Sequence, residues 1–196
     1  MMQKHYNRAA YPLQPRSVFV PTVTPLIDAT TIAARIGVLA GVIGRAYADR
    51  PLTLLCCLKG GYLFTADLSR ALPIPHRVAF VRAASYGDGT VSSGNVRFDC
   101  LDPAELDGRD VLLVEDIIDT GRTAAVLMKT IASLPVRSVR LCALLDKPGR
   151  REVAVIPDYL GFSIDDHFVV GYGLDYAEAY RNLPYIGVLV QDDPAT

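Results

Sequence analysis

The chain has 196 residues, enough for one domain with a core that needs neither disulfide nor metal staples. With 51% hydrophobic and 21% charged residues it reads as globular rather than disordered, and a net charge of −1 provides no overall field for nucleic acid or a membrane surface. No apolar run reaches the roughly 18 residues of a membrane span, and no apolar stretch follows the basic N-terminus as in a signal peptide, so no membrane and no nucleic-acid partner is expected.

Residues 1–25 carry four prolines and little periodicity, and read as an irregular arm ahead of one domain over 26–196. From Leu26 the spacing predicts a helix whose apolar stripe is Ile32, Ile36, Leu39, Ile43 and Tyr47. LTLLCCL (52–58) is a short unbroken apolar run closed by Lys59-Gly60-Gly61, the pattern of a strand buried on both faces, and residues 62–72 are helical in spacing. A strand over 78–81 precedes a polar loop, ASYGDGTVSSGN (84–95). VLLVE (111–115) is a second buried strand. Residues 121–134 form a helix with Val126, Lys129 (its aliphatic stem), Ile131 and Leu134 in register, and VRLCALL (139–145) is a third buried strand. This alternation predicts an α/β fold: a parallel twisted sheet flanked by helices, with a small hood made from the chain ends.

Ligands of such sheets sit beyond the carboxyl ends of the strands. Three of these ends are chemically unusual: Lys59-Gly60-Gly61, the run Glu115 to Gly121, and Asp146-Lys147. In VLLVEDIIDTGRT the strand ends in two adjacent acids, turns through Asp119-Thr120-Gly121, and opens a helix near Thr123. Free backbone N–H groups, a glycine and the hydroxyls of Thr120 and Thr123 make an anion site. The spacing is not that of a P-loop, and suits a single phosphate. Glu115 and Asp116 would repel that phosphate unless they take sugar hydroxyls or a divalent cation, so a glycosyl phosphate with a free diol and bound magnesium satisfies both demands. A lone DTG is equally well explained as a helix cap; the whole string is not.

VLLVEDIIDTGRT resembles the phosphoribosyl pyrophosphate signature of type I phosphoribosyltransferases, in the form typical of the hypoxanthine-guanine branch, and the likeness extends from about Val18 to Val190. It implies transfer of a 5-phosphoribosyl group from phosphoribosyl pyrophosphate to a 6-oxopurine, hypoxanthine and/or guanine, giving IMP or GMP in purine salvage. Under it, Glu115 and Asp116 bind the ribose hydroxyls and magnesium, and Asp119, Thr120, Gly121, Arg122 and Thr123 form the 5-phosphate loop. Asp119 also serves as proton acceptor at the imidazole ring of the base. LKGGY supplies Lys59 and Gly60 as the pyrophosphate loop, with a non-proline cis peptide at Lys59. The polar loop with Ser85 and Tyr86 is a catalytic lid, and Arg82 matches a position before it. Where some relatives carry lysine, this chain has Ala84.

Through DxFVVGYxLDYxExxR the resemblance implies that Phe168 stacks on the purine and that Val169 offers its carbonyl to the base edge. Asp175 then joins Glu115 and Asp116 at Mg2+, Arg181 reaches pyrophosphate, and Lys147 donates to the 6-oxo group. By their residue types alone, Phe168 would be core and Lys147 a snorkelling surface residue. His5, His76 and His167 lack metal-ligand spacing. Cys56, Cys57, Cys100 and Cys142 form no CxxC pair, and three of them lie in apolar runs, which suits reduced thiols in the cytoplasm. The family implies a homodimer or homotetramer. Three rival readings stand beside this one: a different base, such as xanthine or another ring system, on the same donor site; a regulator that senses phosphoribosyl pyrophosphate and binds nucleic acid or a partner; and a structural α/β protein without a ligand, which would leave Glu115, Asp116 and Asp119 clustered without a purpose.

Overall fold

The computed structural model describes residues 22–84 and 97–190. The lid residues Ser85 and Tyr86, His5 and most of the N-terminal arm lie outside them. In chain order the elements are β1 (Thr22–Ile27), α1 (Ala29–Ala46), β2 (Leu52–Leu58), α2 (Tyr62–Ala71), β3 (His76–Ala84) and β4 (Arg97–Asp99). They continue with β5 (Asp110–Ile118), α3 (Arg122–Ala132), β6 (Ser138–Asp146), β7 (Tyr159–Ser163), β8 (Val169–Val170) and β9 (Ile186–Val190).

Six strands form the main sheet in the order β4-β3-β2-β5-β6-β7. The five from β3 to β7 run parallel, and β4 is antiparallel at the edge. β5 sends alternate side chains to opposite faces: Leu112 and Val114 join the core beneath α1 and α2, while Val111 and Leu113 join the core beneath α3. That two-sided burial is why β2 and β5 are apolar without alternation. The chain steps from β2 outward to β3, then returns to place β5 on the other side of β2. The order therefore reverses between β2 and β5, and a crevice opens at their carboxyl ends.

A second, three-stranded antiparallel sheet, β1-β9-β8, is the hood. β1 corrects the expectation of an irregular arm up to residue 25: Thr22 to Pro25 already pair with β9, and the register shifts after Pro25, whose ring leaves no N–H to donate. The α1 helix starts at Ala29, not Leu26, because the Asp28 carboxylate accepts the Thr31 N–H (2.8 Å) and caps it. Its 18 residues have a mean hydropathy of 1.3, enough by length and composition for a membrane span. However, Ile32, Ile36, Leu39 and Ile43 are buried in the core, and Arg35 donates to the carbonyls of Leu160 and Gly161. In α3 the buried stripe is Ala124, Leu127 and Ile131; Lys129 is exposed and Val126 half-buried, so the expected register was turned by about one residue. Cys56, Cys57 and Cys142 are buried free thiols, and Cys100 is an exposed one.

Candidate active site

β5 delivers its acids from a fully buried run. Glu115 is 5% exposed, and its Oε1 has no hydrogen-bond partner among the described residues. Burial pushes its carboxyl up to about 8; the neighbouring Asp116 charge adds to this, and the Cys57 thiol opposes it. Burial likewise raises Asp116 to about 6, against the pull of the Ile117 N–H that it accepts at 2.9 Å. An acid buried with one oxygen unsatisfied calls for a donor from outside the protein, which a sugar hydroxyl or a hydrated cation supplies.

Beyond them, Gly121 holds φ +84, a left-handed conformation that a side chain would strain, and a methyl there would stand 2.7 Å from the Val153 carbonyl oxygen. Because this glycine occupies the N-cap position of α3, no side chain caps the helix, in contrast to Asp28 on α1. The first N–H groups of α3 therefore stay available to an anion. The Arg122 N–H makes only a long contact, 3.4 Å, to Thr120 Oγ1. A pocket of about 190 Å³ is lined by residues 115–121 with Thr123 and Ala124.

At the end of β2 the Leu58–Lys59 peptide is cis, as the motif implied. The double glycine that follows is demanded by packing. A methyl on Gly60 would overlap the Asp116 carboxylate, and one on Gly61 would approach the Cys57 carbonyl oxygen to 2.8 Å. Lys59 reaches Glu178 (Nζ–Oε2 2.8 Å), which also faces Arg181 at 3.5 Å. Arg181 is held by Asp175 (2.8 Å) and by the Gly173 carbonyl (2.8 Å), and its Nε is buried without a partner among the described residues.

On the other flank, Lys147 directly follows β6 with only 8% of its side chain exposed and lies 3.7 Å from Asp166. Arg150 spans from Asp166 (3.7 Å) to Asp119 (3.2 Å). Phe168 is 52% exposed and packs edge-on to Tyr176, centroids 5.7 Å apart, so a ring face stays open to a planar partner. Val169 is buried in β8.

A phosphoribosyl transferase domain matches residues 24–177. The chain belongs to the phosphoribosyltransferase family. This phosphoribosyltransferase is 43% identical over 171 residues to the hypoxanthine phosphoribosyltransferase of Salmonella typhimurium, covering 86% of this chain and 96% of the relative. It is also 43% identical over 190 residues to the hypoxanthine-guanine phosphoribosyltransferase of Mycobacterium avium, covering 93% and 94%. Among solved structures it is similar to a Staphylococcus aureus hypoxanthine phosphoribosyltransferase (TM-score 0.79, 38% identity, 85% and 90% covered). The Bacillus anthracis hypoxanthine-guanine phosphoribosyltransferase matches with a TM-score of 0.79 at 35% identity, 87% and 99% covered.

In this phosphoribosyltransferase Glu115, Asp116, Asp119, Thr120, Gly121 and Thr123 line one pocket, with Gly60 against Asp116 and the Lys147 N–H bonded to the Ile118 carbonyl beside it; other expected residues stand apart. The Arg122 side chain turns away to pair with Glu152 (2.5 Å) and does not line the pocket. Arg82 is exposed on β3. His76 is satisfied by Ser69 and the Ile74 carbonyl, as a structural histidine is. Among the described residues no three His, Cys, Asp or Glu side chains gather as a cation cage. Asp146 belongs to one of the three unusual strand ends, but Arg150, Arg151, Asp166 and Glu178 lie outside the residues expected at the site. Asp166 and Glu178 are fixed letters of the C-terminal motif and could have been picked out by that signal; the two arginines carried none.

Proposed function

We propose that this enzyme of purine salvage transfers the 5-phosphoribosyl group of phosphoribosyl pyrophosphate to a 6-oxopurine, hypoxanthine and/or guanine, releasing pyrophosphate and IMP or GMP. The observation that carries the reading is the joining, beyond the strand ends, of an uncapped helix start beside a buried and a half-buried acid with an open aromatic face and a buried lysine.

In this reading, N–H groups and hydroxyls of residues 119–123 take the 5-phosphate, and Glu115 and Asp116 accept from the ribose diol. Lys59, the Gly60 backbone and Arg181 receive the pyrophosphate, and Ser85 and Tyr86 close over it. Phe168 stacks on the base, the Val169 carbonyl meets its edge, and Lys147 donates to the 6-oxo group. An imidazole nitrogen of the purine attacks the anomeric carbon, the bond from that carbon to the pyrophosphate oxygen breaks, and Asp119 accepts the proton from the other ring nitrogen. Orientation and charge stabilisation supply most of the rate, with no covalent intermediate on the protein.

The unsatisfied oxygen of Glu115 and the adjacent Asp116 fit a hydrated Mg2+ carried by the substrate, since that ion keeps several waters and needs only one or two carboxylates. Asp175 would assist once its contacts to Arg181 and the Glu178 N–H loosen. When bound, Mg2+ neutralises charge on the departing pyrophosphate. We place the enzyme in the cytoplasm, which suits its free thiols. We also propose a homodimer or homotetramer, which would cover the exposed Val78 and Phe80 of β3.

The test is an absorbance assay with phosphoribosyl pyrophosphate and Mg2+, offering hypoxanthine, guanine, xanthine and adenine separately. Nucleotide from the first two is expected, and Asp119→Asn should lower kcat by about 10²–10⁴. Tight binding of the donor without turnover of any base would overturn the enzyme reading in favour of a sensor.

A further inference from the structure

The 5-phosphate turn is braced from outside by a segment that no motif marks. After the tight turn Pro148–Arg150 the chain runs back along the carboxyl end of β5, and the N–H groups of Glu152 and Val153 both donate to the Thr120 carbonyl, at 2.9 and 3.1 Å. Arg151 is the centre of this brace. Its Nη1 donates to the Asp119 carbonyl at 2.7 Å, its Nη2 pairs with the Asp146 carboxylate, and its stem lies 3.0 Å from where a Gly121 methyl would be. The two side chains of that ion pair are only 16% and 12% exposed, so the pair is shielded from solvent and held in one geometry.

A trans peptide is planar, with its C=O and the following N–H pointing in opposite directions. Tying the carbonyls of Asp119 and Thr120 outward therefore turns the N–H groups of Thr120 and Gly121 the other way. We infer that Arg151 is a positioning residue: with Asp146 it fixes these two peptide planes, aims their N–H groups at the 5-phosphate and holds the Asp119 carboxylate in place for the base. Asp146 adjoins Lys147, so one ion pair sets the register between the phosphate cradle and the 6-oxo donor. This inference rests on the function proposed above.

The experiment compares Arg151→Gln, Arg151→Lys and Asp146→Asn with wild type by steady-state kinetics and by calorimetric binding of ribose 5-phosphate, each variant first melted to establish cooperative folding. Arg151→Gln should raise the KM for phosphoribosyl pyrophosphate and weaken ribose 5-phosphate by about tenfold or more, the scale seen when a partner behind a functional group is lost, and should lower kcat as well. Arg151→Lys should recover part of the binding, because an ammonium replaces the charge but not both contacts at once. In an Asp119→Asn background the kcat effect of Arg151→Gln should shrink to under about threefold, since Arg151 acts on kcat through Asp119. Ribose 5-phosphate affinity within twofold of wild type, or a kcat loss that multiplies unchanged in that background, overturns the inference. Should Arg151→Gln fail to fold, Arg151→Lys and Asp146→Asn carry the same test. A wild type that makes no nucleotide sinks the proposed function, while the ribose 5-phosphate arm still decides the role of Arg151.

Discussion

Gly60 and Asp116 are far apart in sequence yet share one volume: any side chain on Gly60 would occupy the space of the Asp116 carboxylate. Gly60→Ala is therefore expected to displace the acid and lower kcat/KM for phosphoribosyl pyrophosphate by more than tenfold, read by steady-state kinetics, with a smaller effect on the KM for the purine. Glu115 and Asp116 also write themselves into the pH dependence of stability. Their folded values lie above the ordinary 4.5 and 3.8, so in this range the folded state binds more protons than the unfolded one. Stability in the ligand-free protein is then full below about pH 4 and is lost as pH rises through about 6 and about 8. Thermal melts from pH 4 to 8 should show this decline, and Glu115→Gln should flatten its upper half; an unchanged slope would exclude Glu115 as its source. At this scale the contiguous motif is legible in the sequence alone, since its chemistry lies within nine residues from Glu115 to Thr123. Arg151 is not, because the Asp119 carbonyl it holds lies just past the end of β5, and only the fold brings that turn to it.

Among the elements, β2 was legible to the residue, because a run buried on both faces has sharp ends where Pro51 and Lys59-Gly60-Gly61 begin. The α3 register was not. Counting the Lys129 stem as apolar and overlooking the small Ala124 shifted the stripe, and sequence alone does not say that an alanine faces the sheet. The two registers make opposite predictions. Leu127→Ala should cost about 2–5 kcal/mol in denaturant unfolding, as a buried leucine does. Lys129→Ala should stay within about 0.5 kcal/mol, as an exposed substitution does. The hood strands were illegible for a different reason. β1 contains Pro25 and is mostly exposed, and β8 has only two residues, so neither carries a periodic signal.

Over the whole molecule, in the proposed function, the main sheet would supply the donor side of the site and the hood its aromatic side. Tyr172, buried in the loop after β8, donates its hydroxyl to Asp67 on α2 and so fixes one to the other. Tyr172→Phe is expected to raise the KM for hypoxanthine a few-fold, the consequence of about 1 kcal/mol of lost hydrogen bonding, while that for phosphoribosyl pyrophosphate changes less. Equal changes in both would mean that hood and sheet respond as one body. The pairing of Thr22 with Val190 in this hood also bears on how the protein is made. On the ribosome, β1 is made long before β9 and must wait without its partner until that strand follows. The turn at Asp119–Gly121 and the residues 151–153 that brace it are close in the chain and can meet before β9 is made, whereas the hood sheet cannot form without that strand. In the proposed function, a nascent chain thus acquires its phosphate-holding turn before the strands that frame the base have met.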